Sequence, residues 1–143
     1  RYIYRSGSYA IYTYLHLPDG SWQSNKTIYD PCPVGWRVPD GGENGIWSKA
    51  SGLTYFSTSG LWSSVGGANF SGKFGENETI WYPASGYRND YGGISDAKYV
   101  GKLWSCSYVV DSSFAYYLSF TSSSAEQSMV SRGLGYSVRC QKE

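Results

Sequence analysis

The sequence predicts a mixed α+β domain, mostly short strands and irregular loops with one or two helices. Three observations predict it. The chain carries 15 Tyr, 6 Trp and 5 Phe in 143 residues, and such rings favour pleated positions. Its 18 Gly and many Ser cut the chain into short runs. Only one stretch, near Trp47, places apolar residues at helical spacing.

Residues 1–17 mix Tyr, Ile and Leu with small residues and read as one or two strands, closed by the turn signal Leu17-Pro18-Asp19-Gly20. Pro31, Pro33 and Pro39 make the segment around Cys32 an ordered loop, because proline fits neither a helix interior nor a central strand. Ile46, Trp47 and Ala50 predict a short helix over 43–51, ended by Gly52. From Leu53 to Glu76 the chain is Gly/Ser-rich with scattered rings, and reads as a long loop containing short strands or a second short helix. Strand candidates follow at Glu78–Arg88, Lys98–Tyr108, Phe114–Ser122 and Leu134–Gln141.

Two cysteine motifs bracket most of the chain. Tyr29-Asp30-Pro31-Cys32-Pro33-Val34-Gly35-Trp36-Arg37-Val38-Pro39 lies near the start, and Leu134-Gly135-Tyr136-Ser137-Val138-Arg139-Cys140 at the end. A Cys32–Cys140 disulfide would close nearly the whole domain and place it in an oxidising compartment. The alternative is two unpaired buried thiols. With that pair bridged, Cys106 is the odd thiol, either a small buried hydrophobe or a permissive position.

Composition excludes several function classes. Formal charge is +1, from 12 basic and 11 acidic side chains. No basic run supports nucleic acid or an anionic membrane as partner, and no apolar run approaches the roughly 18 residues of a membrane span. The chain starts at Arg1 and is expected to be a processed or excised piece of a longer protein. His16 is the only histidine, so no Ser/His/Asp set can be built with sequence support. Asp30, Asp40, Glu43, Asp90, Asp96 and Asp111 lie near turns, yet none matches a dedicated calcium loop. No zinc spacing or phosphate loop occurs. The sequons at Asn25, Asn69 and Asn77 matter only in a eukaryotic secretory host. No cofactor, no metal and no enzymatic activity are expected.

The Cys32 motif, Ala84-Ser85-Gly86-Tyr87-Arg88, Leu103-Trp104-Ser105, Ala115-Tyr116-Tyr117-Leu118-Ser119-Phe120 and Ser137-Val138-Arg139-Cys140 resemble the Fibrobacter succinogenes major paralogous domain. That family occurs in surface and fimbrillin-like proteins of Bacteroidales. The likeness covers roughly residues 28–141 in the same motif order; residues 1–27 then supply N-terminal strands of one domain, 1–143. The resemblance implies a C-type-lectin-like fold, with small twisted antiparallel sheets, one or two helices, long irregular loops and a terminal cysteine ring closure. It departs from the sugar-binding lectins of that fold, whose calcium-holding Pro tripeptides are missing, so calcium-dependent sugar binding is unsupported. It also lacks the close cysteine pair of the related formylglycine-generating enzymes.

The same fold carries the variable proteins of diversity-generating retroelements, and the Tyr/Ser/Asp-rich run from Tyr87 to Tyr136 resembles such a variable region. Mutated adenines in Asn-type codons can give Leu103, Cys106, Tyr108, Val110 and Phe114, but not Glu126, Gln127 or Met129. Variation is thus expected mainly in 89–119. Asn89, Asp90, Tyr91, Tyr99, Leu103, Cys106, Tyr108, Val110, Phe114 and Tyr116 are the expected ligand-binding residues of one exposed patch, with Trp104 as core. Tyr in a Ser/Gly background suits binding, because a ring gives contact area with few rotors to freeze.

The leading expectation is a non-enzymatic display or binding domain at the cell surface, on a pilus or on a phage particle. Its partner would be a protein or glycan on another cell or surface. The second is a structural pilin-type domain, whose aromatics serve packing and contacts with other pilus subunits by strand addition.

Overall fold

The computed structural model describes residues 20–43, 45–47, 56–57, 62, 66–71 and 79–143. Among these residues ten strands form four small antiparallel sheets. In chain order they are β1 (Trp36–Arg37), β2 (Phe56–Ser57), β3 (Gly67–Ser71), β4 (Thr79–Pro83), β5 (Tyr87–Arg88), β6 (Ile94–Ser95), β7 (Gly101–Tyr108), β8 (Phe114–Phe120), β9 (Ala125–Ser131) and β10 (Gln141–Lys142). The sheets are β1-β10, β2-β3-β4, β5-β6 and β7-β8-β9.

The expected α+β class, with a C-type-lectin-like sheet and one or two helices, is corrected: the described residues are strands, turns and loops with essentially no helix. Of the stretch 43–51, Glu43 and Gly45 to Trp47 are turn and bend, and the rest lies outside the described residues. The glycines explain the difference. Gly42 holds φ +77°, and a Cβ on Gly45 would sit 2.3 Å from the Asp40 carbonyl oxygen. The backbone folds back there, with Gly45 N–H on the Gly42 carbonyl at 3.1 Å, and glycine disfavours helix nucleation. Trp47 is buried, while Ile46 is exposed. One ring inserted from a turn meets the apolar demand that the spacing suggested.

The sheet β7-β8-β9 organises the molecule, because both its faces are covered. Period-2 alternation puts Leu103, Leu118, Phe120 and Ala125 on one face, where they pack with Ala68, Phe70 and Tyr82 of β3 and β4 and with Trp47. Phe120 meets Phe70 at 5.4 Å and Trp62 at 6.2 Å, both edge-on, the offset geometry aromatic quadrupoles prefer. The opposite face carries Trp104, Ala115, Tyr117 and Val130 against Tyr136, Tyr87 and Leu134. Trp104 is buried, stacked on Tyr136 at 4.4 Å. Gly101 opens β7 where no side chain fits: a Cβ there would lie 1.9 Å from Phe120 Cζ.

Three strand expectations map onto elements, with Glu78–Arg88 becoming β4 and β5, and Lys98–Tyr108 and Phe114–Ser122 becoming β7 and β8. Leu134–Gln141 instead forms isolated bridges, Arg88 to Gly135 and Leu103 to Ser137, before β10. The polar run Ala125–Ser131 forms β9. The strands expected at 1–17 lie outside the described residues, as does His16.

Cys32 and Cys140 form a disulfide across a separation of 108 residues, and Cys106 is free and buried. Around the bridge, Asp30 is buried and knits the proline loop. Its Oδ1 accepts the Cys32 N–H at 2.8 Å, its Oδ2 the Val38 N–H at 3.0 Å. Lys26 Nζ pairs with Asp30 at 3.2 Å and donates to the carbonyls of Cys32 at 2.6 Å and Trp36 at 2.8 Å. The chain end closes beside it as β1 pairs with β10.

Candidate binding surface

A β-bulge in β7 sets the geometry of the site. The register runs Trp104 to Tyr117 and then Tyr108 to Ala115, so Ser105, Cys106 and Ser107 oppose the single residue Tyr116. Ser105 Oγ donates to the Tyr116 carbonyl at 2.9 Å and so satisfies an acceptor near the irregularity. Cys106 turns inward, its N–H on the Pro39 carbonyl at 2.8 Å, and packs with Cys32, Val38 and Cys140. Bulges bend a strand and re-aim side chains in this way.

The expected site residues therefore separate. Leu103 and Cys106 are 5% and 4% exposed and cannot belong to an exposed patch. Leu103 lies on the covered face, and the bulge buries Cys106. Tyr116 is half-buried under the Gly41–Gly42 backbone, which Gln127 clamps through both its amide atoms at 3.1 and 3.3 Å. Tyr99 is 73% exposed but sits in the turn before β7, at the opposite end of that strand from Val110. Eleven residues of mostly extended chain place the two on the order of 30 Å apart, so the expected single patch does not form.

The remaining residues gather on two hairpin turns. In the β5-β6 turn, Asn89 Oδ1 accepts the N–H groups of Tyr91 and Gly93 at 3.1 and 2.9 Å, leaving Asp90 and Tyr91 outermost. In the β7-β8 turn, Val110 is 69% and Phe114 47% exposed. Ser112 Oγ braces this turn, donating to the Val109 carbonyl and accepting the Phe114 N–H. The turn 131–135 joins the two. Arg132 N–H bonds the Ser113 carbonyl at 2.8 Å, its guanidinium bonds the Ser112 carbonyl and lies 5.7 Å over the Tyr108 ring. Gly135 exchanges two backbone bonds with Arg88, at 2.8 and 2.9 Å. Exposed Met129 on β9 stands across from Tyr116 and completes the apolar margin.

Beside Tyr108 lies an open depression of about 440 Å³, lined by Trp22, Gln23, Ser24, Asn25, Cys106, Ser107 and Tyr108. Apart from the sequon at Asn25, its Trp22–Asn25 wall carried no signal in the sequence. Under it, Cys106 Sγ donates to Asp40 Oδ1 at 3.2 Å, while Arg37 holds Asp40 Oδ2 at 2.6 Å and Ser24 donates to Oδ1. Burial works to raise the Asp40 pKa; hydrogen bonds from Arg37, Ser24 and Cys106 and the Arg37 charge outweigh it, so the carboxyl titrates below its ordinary value. Burial first, then the Asp40 hydrogen bond and charge, push the Cys106 thiol up to about 12. A thiol so held is a poor nucleophile. Asp30 and Asp40 spend their oxygens on protein donors, and among the described residues no three His, Cys, Asp or Glu side chains converge as a metal site. Nor is any helix among them long and apolar enough to cross a membrane.

Comparison with family models, curated proteins and solved structures finds no match for this chain.

Proposed function

We propose that this chain is a non-enzymatic binding module of a bacterial surface or pilus-associated protein. It would engage a protein or glycan on another surface through the linked turns 89–93 and 109–114 and the adjoining depression. The observation that carries the reading is the turn 131–135, where Arg132 bonds the Ser112 and Ser113 carbonyls and Gly135 exchanges two backbone bonds with Arg88, so that the turns bearing exposed Tyr91, Val110 and Phe114 are tied to a doubly covered sheet. Large side chains presented on a pinned backbone lose little entropy on binding. Loops on a rigid scaffold are also where binding residues concentrate. The motif resemblance supports the surface-display part, and the disulfide is compatible with an extracellular location. Diversification by a retroelement would act on these turn positions, and a reverse transcriptase with a near-copy of the gene's 3′ end would accompany the gene.

The test is capture of the purified protein on a glycan panel and on intact cells, with wild type and the Val110→Ser/Phe114→Ser variant side by side. The reading requires selective capture by wild type and its loss in a variant that remains folded by its cooperative thermal transition. Equal capture by both, or no capture by either, overturns it.

A further inference from the structure

We propose a second binding subsite, on the sheet face that carries Trp104, where Lys102 and a cluster of tyrosines take an oxyanion of a ligand such as a carboxylate, sulfate or phosphate group. Lys102 leaves β7 beside Trp104, and its ammonium lies 4.2 Å from the ring centre of Tyr87, 5.1 Å from Tyr136 and 5.5 Å from Tyr117. The rings hold one another edge-on, Tyr87 to Tyr136 at 5.6 Å and Tyr117 to Tyr136 at 5.0 Å. The stack of Tyr136 on Trp104 fixes the whole group to the sheet.

The group is rich in donors. Tyr136 is only 8% exposed, and Lys102 Nζ donates to its Oη at 3.4 Å, which leaves the O–H proton available to an acceptor beside the ammonium. Burial and the neighbouring Tyr117 and Tyr87 raise the Tyr136 pKa, so that hydroxyl stays a donor. The phenols of Tyr87 and Tyr117, both partly exposed, supply two more. The ammonium makes no ion pair among the described residues. Among the described residues Asp96 is the one carboxylate that acts on it, through space and beyond ion-pair distance. Ring faces stabilise a cation, yet they leave its charge unneutralised, and partial burial strengthens its attraction for an anion. An oxyanion matches both needs, because it accepts several hydrogen bonds and carries the opposite charge. The site is separate from the turns proposed above, so either can fail alone.

The probes are sodium sulfate, sodium phosphate and sodium acetate, titrated against sodium chloride at constant ionic strength. The readout is the NMR signals of the Tyr87, Tyr117 and Tyr136 rings. Saturable shifts confined to these rings are expected with at least one oxyanion, and the strongest of the three identifies the group. Lys102→Met should abolish saturation, Lys102→Arg should retain it, and Asp96→Asn should tighten it severalfold by removing the competing charge. Tyr136→Phe keeps the stacked ring and removes only the hydroxyl, so it should weaken binding without lowering Tm. Shifts no different from those in chloride, or saturation that survives in Lys102→Met, would overturn the subsite.

Discussion

The Cys106 thiol donates its hydrogen to Asp40 at 3.2 Å, beneath an open depression and against the Cys32–Cys140 bridge. The one free thiol is thus held in its protonated form next to the one disulfide. At pH 8 native protein should resist iodoacetamide at Cys106 and take up one equivalent in denaturant, as read by intact mass.

The same contact has a pH signature. The unfolded thiol titrates near 9.0 and the folded one near 12. Below pH 9 both states keep the proton and the contribution to stability is complete. Above it the unfolded chain releases a proton that the native state retains, so stability falls as pH rises toward 12. Tyr136, raised from 10.0 by burial first and then by Tyr117 and Tyr87, acts in the same direction. Urea midpoints should drop between pH 8 and 10.5, and Cys106→Ala should flatten that slope. An unchanged slope in the variant would show that the thiol is not held as described.

Opening the bridge tests the ring closure. Cys32→Ser/Cys140→Ser removes a link across 108 residues, worth about 4.7 kcal/mol in the chain-entropy model. The double variant should lose most of its denaturant stability. A loss under about 1 kcal/mol would mean that β1, β10 and Asp30 already fix the two ends.

Asp30 is the second device at that place. Asp30→Ala leaves the N–H groups of Cys32 and Val38 without their acceptor and takes the counter-charge from Lys26, which keeps the Cys32 and Trp36 carbonyls. The expected cost is about 3–5 kcal/mol, because breaking a buried pair strands its partners. Equilibrium unfolding measures it, and a cost under 1 kcal/mol would remove Asp30 from this role.

Core and surface positions on β8 should behave oppositely. Leu118→Ala, on a fully buried side chain, should cost about 2–5 kcal/mol. Phe114→Ser, four residues earlier on the same face and half-exposed, should cost about 1 kcal/mol or less. Equal losses would place Phe114 in the core and remove it from the binding surface.

The sequence by itself pointed to the Cys32–Cys140 pairing, the burial of Trp104, and strands over 98–108 and 114–122, which the structure bounds as 101–108 and 114–120. These rest on local facts: proline restricts the backbone, aromatics favour extended chain, and alternation assigns residues to faces. Alternation does not say which faces are covered. Tertiary structure decided that, by packing β3 and β4 on one side of β7-β8-β9 and Tyr136 with Tyr87 on the other, so Leu103 became core. The bulge that buries Cys106 appears only once β7 pairs with β8, because a register shift belongs to two strands together. Trp47, whose spacing suggested a helix, stands on a glycine turn and is placed by its long-range contacts with β3, β4, β7, β8 and β9. The depression beside Trp22 joins residues more than 80 positions apart, a proximity that local pattern cannot encode.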